Sequence, residues 1–287
     1  MPSLKEYNNK IGSMKNTAKV TKTMKMVATS KFRRAQDAQK SSKLYAQSLD
    51  ALVSRVAAAA GTGANHPLLK PRTVKKVLVL VVAADKGLCG GFNNNLLKFV
   101  RNWSRQKTAS GVQVSYAAIG KRAVSGCRRL GNLAHSFEEL SHAGYANAQK
   151  VAETLAKDFL SGAYDEVYLA NNLFKSALAQ VPTLVPFIPV APATGSAAAG
   201  ATADYEYEPE AGTLIGQLLP RVLAFNVFSA MLENAAGEHA ARMTAMDNAT
   251  TNANNLIKHY TKLRNRARQA KITTELSEIV AGAESLK

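Results

Sequence analysis

Cysteine is nearly absent: Cys89 and Cys127 are the only thiols in 287 residues. Two isolated thiols give neither a disulfide framework nor the spacing of a zinc site, and they suit a reducing compartment. The five histidines are scattered and add no metal cluster. Aromatic residues reach only 7%, whereas alanine is abundant, which suits helices packed closely through small side chains. No run of about 20 apolar residues occurs, so no membrane-spanning helix is expected. The start, MPSLKEYNNK, has no apolar signal core and does not read as a transit peptide despite its lysines. Acids are few as well. Twenty Asp and Glu face 37 Lys and Arg, a formal charge of +17. Such an excess calls for an acidic neighbour: nucleic acid, anionic lipid or an acidic protein surface.

Helix breakers are missing from both ends of the chain. Between Gly12 and Gly61 there is neither glycine nor proline; after Pro220 there is no proline, and Gly237 is the only glycine before Gly282. Residues 3 to 60 carry a seam at alternating three- and four-residue steps: Ile11, Met14, Ala18, Thr21, Lys25, Ala28, Phe32, Ala35, Gln39, Ser42, Ala46, Leu49, Val53, Val56 and Ala60. Thr213 to Leu286 carries another: Leu218, Val222, Phe225, Ser229, Leu232, Ala236, His239, Met243, Met246, Thr250, Ala253, Ile257 and Tyr260. That step is the seam of a coiled coil. At 1.5 Å per residue the two helices would run about 75 and 100 Å. The first should stop at Gly61-Thr62-Gly63, ahead of His66-Pro67. A lone helix in water is marginal, so each is expected to be the other's antiparallel partner. The second is longer by about 20 residues, or roughly 30 Å. Its end, about Arg266 to Lys287, should therefore overhang, with Ile272, Leu276, Ile279 and Ala283 on one face. A bare apolar tip needs something to sheathe it.

The middle has a different grammar. Lys76 to Ala83 is a β-branched apolar run of buried-strand length. A glycine-rich turn and a helix over Asn94 to Gln106 follow, then a strand over Val112 to Ile119 and a short helix near Arg122 to Leu130. A short strand over Ala134 to Phe137, a helix over Tyr145 to Leu160 and a strand over Glu166 to Ala170 complete the alternation. Phe174 to Val190, broken by prolines at 182, 186 and 189, should add edge strands. Ala191 to Ala203 reads as a loop, and Asp204 to Pro209 leads into the last helix. The expected class is α/β. A long antiparallel two-helix coiled coil is joined to a Rossmann-like α/β domain with a mostly parallel sheet. The expected division is 1–62, 70–210 and 211–287.

Catalytic signals are weak. Asp85-Lys86-Gly87-Leu88-Cys89-Gly90-Gly91-Phe92-Asn93 lies between a strand and a helix, where a phosphate loop would sit. Its spacing matches neither G-x-G-x-x-G nor G-x-x-x-x-G-K-[ST], so a structural turn is the better reading. Glu275 with Glu278, and Glu233 with Glu238, read as solvated or salt-bridged faces, and His239 as a packed seam residue. Charge says more. The first 60 residues are strongly basic, and Lys262, Arg264, Arg266, Arg268 and Lys271 form a second band. A solvated helix face would mix signs at i,i+4, so the bias favours an acidic partner. A basic coiled-coil adaptor for nucleic acid or an acidic scaffold is the alternative reading, although no nucleic-acid motif supports it.

Three motifs resemble the gamma subunit of F-type ATP synthase, across essentially the whole chain. The first is Ile11-Gly12-Ser13-Met14-Lys15-Asn16-Thr17, continuing through Lys19 to Ala28 and Lys31. The second is the Asp85 to Asn93 loop. The third comprises Glu238 to Met246 and Ile272-Thr273-Thr274-Glu275 with Glu278, Gly282, Ala283, Glu284 and Ser285. Ala84 departs from the family's usual serine. The resemblance implies a rotary central stalk, which turns with a membrane ring of c subunits during hydrogen ion transport and drives ATP synthesis on beta subunits. It implies alpha, beta, epsilon and the c ring as partners and no nucleic acid. It implies no cofactor, metal or catalytic residue of its own. By motif position, Met24, Arg242, Met246, Arg268 and Gln269 are implied beta-subunit contacts. Ile272, Thr273, Glu275, Leu276 and Ile279 would form a bearing tip. A bacterial protein, peripheral on the cytoplasmic face of the cell membrane, is the implied setting.

Overall fold

The computed structural model describes residues 3–60, 66–139, 142–190, 208 and 211–284. Two helices dominate, α1 over Leu4–Ala60 and α5 over Ala211–Glu284. Between them lie β1 (Lys76–Val82), α2 (Phe92–Ala109), β2 (Gln113–Ile119), α3 (Lys121–Leu130), β3 (Leu133–Phe137), α4 (Tyr145–Leu160), β4 (Glu166–Phe174) and β5 (Gln180–Ile188). The expected α/β class with a mostly parallel sheet and long terminal helices is what forms. The expected stop at Gly61 to Gly63, the 191–203 loop and the lead-in through residue 207 lie outside the described residues.

The chain divides into two compact units, 29–241 and the pair of segments 1–28 and 242–287. In the larger unit the strand order is β3-β2-β1-β4-β5, parallel throughout except for β5, which runs antiparallel to β4. β1 is buried on both faces after Lys76. Its alternation splits the core in two. Leu78, Leu80 and Val82 face a cluster with α4, and with Val53 and Val56 of α1 and Leu219, Leu223 and Val227 of α5. Val77, Val79 and Val81 face Leu96 and Val100 of α2 and Val124 and Cys127 of α3. A strand covered on both sides reads as an unbroken apolar run, which is why β1 was legible.

β5 takes the edge, where Pro182 and Pro186 cost the ladder least. β4 runs four residues past the strand expected from sequence. Asn171 and Asn172 look like a turn, but both are buried and both amides are satisfied. Asn171 donates to Glu233 (2.9 Å) and Asn172 to the Phe92 carbonyl (3.2 Å). Glu233 is therefore no solvated face. Burial raises its carboxyl above the usual range, against the opposing pull of the Asn171 hydrogen bond and Lys43. α5 also contains a window of mean hydropathy 1.4, long and apolar enough by composition to cross a bilayer. No such window is expected from the sequence, which has no unbroken apolar run of about 20 residues. More than half of that window, 56%, is buried within the molecule, as befits a helix that is apolar all round in a core.

Asp165, just before β4, accepts the backbone N–H groups of Lys75 and Lys76, both at 2.8 Å. Burial works to raise its pKa, but these bonds and the charges of Arg72 and Lys76 prevail and hold it below the usual value. A depressed carboxyl stabilises the fold above its unfolded pKa, and that contribution fades as pH falls through the folded one. Asp165→Asn is expected to cost about 1 kcal/mol at neutral pH, discounted for exposure. Thermal melts across pH should show the gap to the unmodified chain closing below about pH 4. A gap that stayed constant would contradict this account.

Candidate coupling surface

In the smaller unit, α1 and α5 pair antiparallel. Lys10 lies over the Tyr260 ring at 5.6 Å, Thr21 meets Thr250 at 2.7 Å between hydroxyls, and Lys25 meets Asp247 at 2.6 Å. Rising numbers on one helix meet falling numbers on the other. The seam read from sequence is the buried stripe: Ile11, Thr21, Ala28, Met246 and Ala253 are all buried, and Tyr7, one turn before it, extends the stripe. Few of these are large, so the pairing stores little apolar energy. The threonine pair is polar at its centre. One hydroxyl donates across the pair, and the other is left to donate within its own helix, to the Thr17 carbonyl from Thr21 (3.0 Å) or to that of Met246 from Thr250 (2.8 Å). A satisfied polar pair in a seam fixes register at some cost in stability. The sequence placed Lys25 on the seam but gave no partner for it; Asp247 supplies one.

Met24 is half-buried, one residue before that ion pair on α1. Met246 is buried, one residue before it on α5, and Arg242 is half-buried one turn away. The structure thus brings three of the implied contact residues to one short stretch of the coiled coil. It does not bring Arg268 and Gln269 there. Both are exposed, beyond Arg266, near which the first turn of α1 runs out on this register.

From Arg268 to Ala283 every residue of α5 is exposed. Ile272, Leu276, Ile279 and Val280 are 47%, 58%, 68% and 57% accessible, at spacings that place them on one helical face. Thr273 and Thr274 donate to the carbonyls of Gln269 and Ala270 within the helix. Glu275 pairs with Lys271 at 3.4 Å, an exposed i,i+4 contact of small energetic value. An apolar helical face without packing is marginal in water, so this segment is built to be covered.

The loop after β1 is closed on itself. The Asn93 carboxamide accepts from the Ala84 N–H at 3.0 Å and donates toward the Lys86 carbonyl at 3.4 Å. Asp85 accepts the Lys121 N–H at 3.0 Å, at the start of α3. Gly120 approaches so closely that a Cβ there would lie 2.2 Å from the Ala83 oxygen, at φ +90°. Cys127 sits in the adjacent core, where burial pushes its thiol up to about 12. This is the chemistry of a rigid turn and an unreactive thiol.

One chain thus carries a coiled coil with an exposed amphipathic end and a mostly parallel α/β sheet. A family model described as ATP synthase matches residues 3–286. ATP synthase gamma chains of Allorhizobium ampelinum and Paracoccus denitrificans are each 43% identical over the full length of both chains. That of Geobacter metallireducens is 40% identical over the same extent. In fold, the chain is similar to one in the Euglena gracilis mitochondrial ATP synthase OSCP/F1/c-ring assembly. The TM-score is 0.67 at 16% identity, with 99% of this chain and 94% of that one covered. It is also similar to one in the Tetrahymena thermophila mitochondrial ATP synthase central stalk and c-ring, at TM-score 0.60 and 24% identity over 80% and 99%. The chain belongs to the ATP synthase gamma-chain family. The nucleic-acid adaptor reading finds no support among these relatives.

Proposed function

We propose that this chain is the central-stalk rotor of a bacterial ATP synthase, peripheral on the cytoplasmic face of the cell membrane. The observation that carries the reading is the fully exposed, one-sided apolar end of α5 beyond Arg268. Ile272, Thr273, Glu275, Leu276 and Ile279 turn there as a bearing inside a ring of alpha and beta subunits. Met24, Arg242, Met246, Arg268 and Gln269 press on the beta subunits. The larger unit engages epsilon and the c ring. Rotation changes which beta conformation each contact favours, so mechanical work becomes a difference in nucleotide affinity. The chain itself performs no bond chemistry; positive charge on α1 and α5 meets acidic loops of its neighbours.

Co-purification tests this. The tagged chain, drawn from detergent-solubilised membranes, should bring alpha, beta, epsilon and c subunits in a complex that survives moderate salt. Salt-sensitive retention on DNA with none of those subunits would contradict it.

A further inference from the structure

On the α2–α3 face of the sheet, in the larger unit, lies a cleft of about 580 Å³ with three arginines and no carboxylate among its lining residues. Arg101, Ser104, Arg105 and Thr108 come from α2, Tyr116 from β2 and Arg129 from the last turn of α3. The α2 residues recur at three- and four-residue steps and so share one helical face. From that arrangement we infer that this cleft binds a soluble phosphorylated small molecule through its phosphate oxygens.

The charge arrangement is not explained by the helices themselves. Arg129 offsets the carbonyl end of α3, as a basic residue in a last turn normally does. Arg101 and Arg105 lie one to two turns before the end of α2, too far upstream for that role. They stand at i,i+4, a like-charge spacing that weakens a helix. Among the described residues neither makes an ion pair. Among the described residues Arg129 donates only to the Ser125 hydroxyl, at 3.3 Å. Guanidinium groups with free donors suit the forked geometry of phosphate oxygens.

The floor of the cleft provides a second, independent sign. Ser104 is 5% exposed, and among the described residues its hydroxyl interacts only with that of Tyr116, in a geometry short of a well-formed hydrogen bond. A buried hydroxyl without a well-formed hydrogen bond is costly, and such groups are uncommon in folded proteins. The Thr108 hydroxyl is committed to the Ser104 carbonyl at 2.9 Å. Tyr116 is also buried, and burial raises its hydroxyl above the usual range against the opposing pull of its weak contact with the Ser104 hydroxyl. Tyr116 therefore stays a neutral donor at physiological pH. Neutral donors at the base and guanidinium groups at the mouth are a set that an anion satisfies and a cation or an apolar ligand does not. The volume exceeds that of a bare phosphate and falls in the range of small-molecule sites.

Titration calorimetry of the full chain against sodium pyrophosphate tests the inference, with vesicles of phosphatidylcholine containing phosphatidylglycerol as a second arm. Saturable one-site binding of pyrophosphate is expected. Arg101→Gln with Arg129→Gln should weaken it at least about tenfold, and Ser104→Ala about threefold. Arg128→Gln, on the same turn but outside the cleft, should leave it unchanged. The substituted arginines are exposed, so circular dichroism should show an unaltered fold. Absence of pyrophosphate binding, equal loss in Arg128→Gln, or binding to the vesicles alone would each overturn the proposal.

Discussion

Charging the end of α5 with Ile272→Asp, Leu276→Asp and Ile279→Asp together is expected to abolish stable docking into a hexamer of alpha and beta subunits. The three side chains are roughly half to two-thirds accessible in the free chain. Covering that remaining surface in the complex is worth about 1 kcal/mol or more per side chain. Losing it, and asking three carboxylates to enter the same surroundings, should weaken association at least about hundredfold. The chain's own melting temperature should hardly move, because these residues are exposed on the free chain and none belongs to either buried core cluster. That pairing of outcomes separates a bearing from a structural helix. If affinity for the hexamer survived, the apolar tip would not be the docking element.

Met24→Lys should uncouple the machine without dismantling it. Met24 is half-buried beside the Lys25–Asp247 ion pair. A second ammonium at this point competes for Asp247 and must be partly desolvated wherever a beta subunit closes over it. The penalty differs between open and closed subunits, and a difference of about 1.4 kcal/mol changes their relative population tenfold. In reconstituted vesicles, protons pumped per ATP hydrolysed should fall by about that order while hydrolysis continues. An unchanged ratio would remove Met24 from the coupling surface.

Much of this architecture was written in absences. The lack of glycine and proline between Gly12 and Gly61 forces a long helix, and the three-four step of its seam fixes which side is covered. Ile11, Thr21 and Ala28 are buried because that stripe has one partner and one register. The β1 run was legible because both its faces are covered. Other features needed the fold. Asn171 and Asn172 look like turn residues until Glu233 and the Phe92 carbonyl are placed against them. Glu233 looked solvated because its burial depends on a strand 62 positions away. The proposed coupling residues were named by their motifs alone. Nothing in spacing or periodicity would have gathered Met24, Arg242 and Met246 around one ion pair. The arginine cleft was invisible for a related reason: three separate elements meet there, and no local pattern records it.

The central claim is that this chain turns. Both native thiols are buried, and that of Cys127 is further silenced by burial, so one surface cysteine, Asn102→Cys on α2, can carry a label selectively. With the alpha–beta hexamer fixed to a surface and a gold rod on that cysteine, ATP should drive unidirectional rotation of the rod, halted when ATP is exhausted. A rod that stays fixed while ATP is hydrolysed at the normal rate would contradict the account.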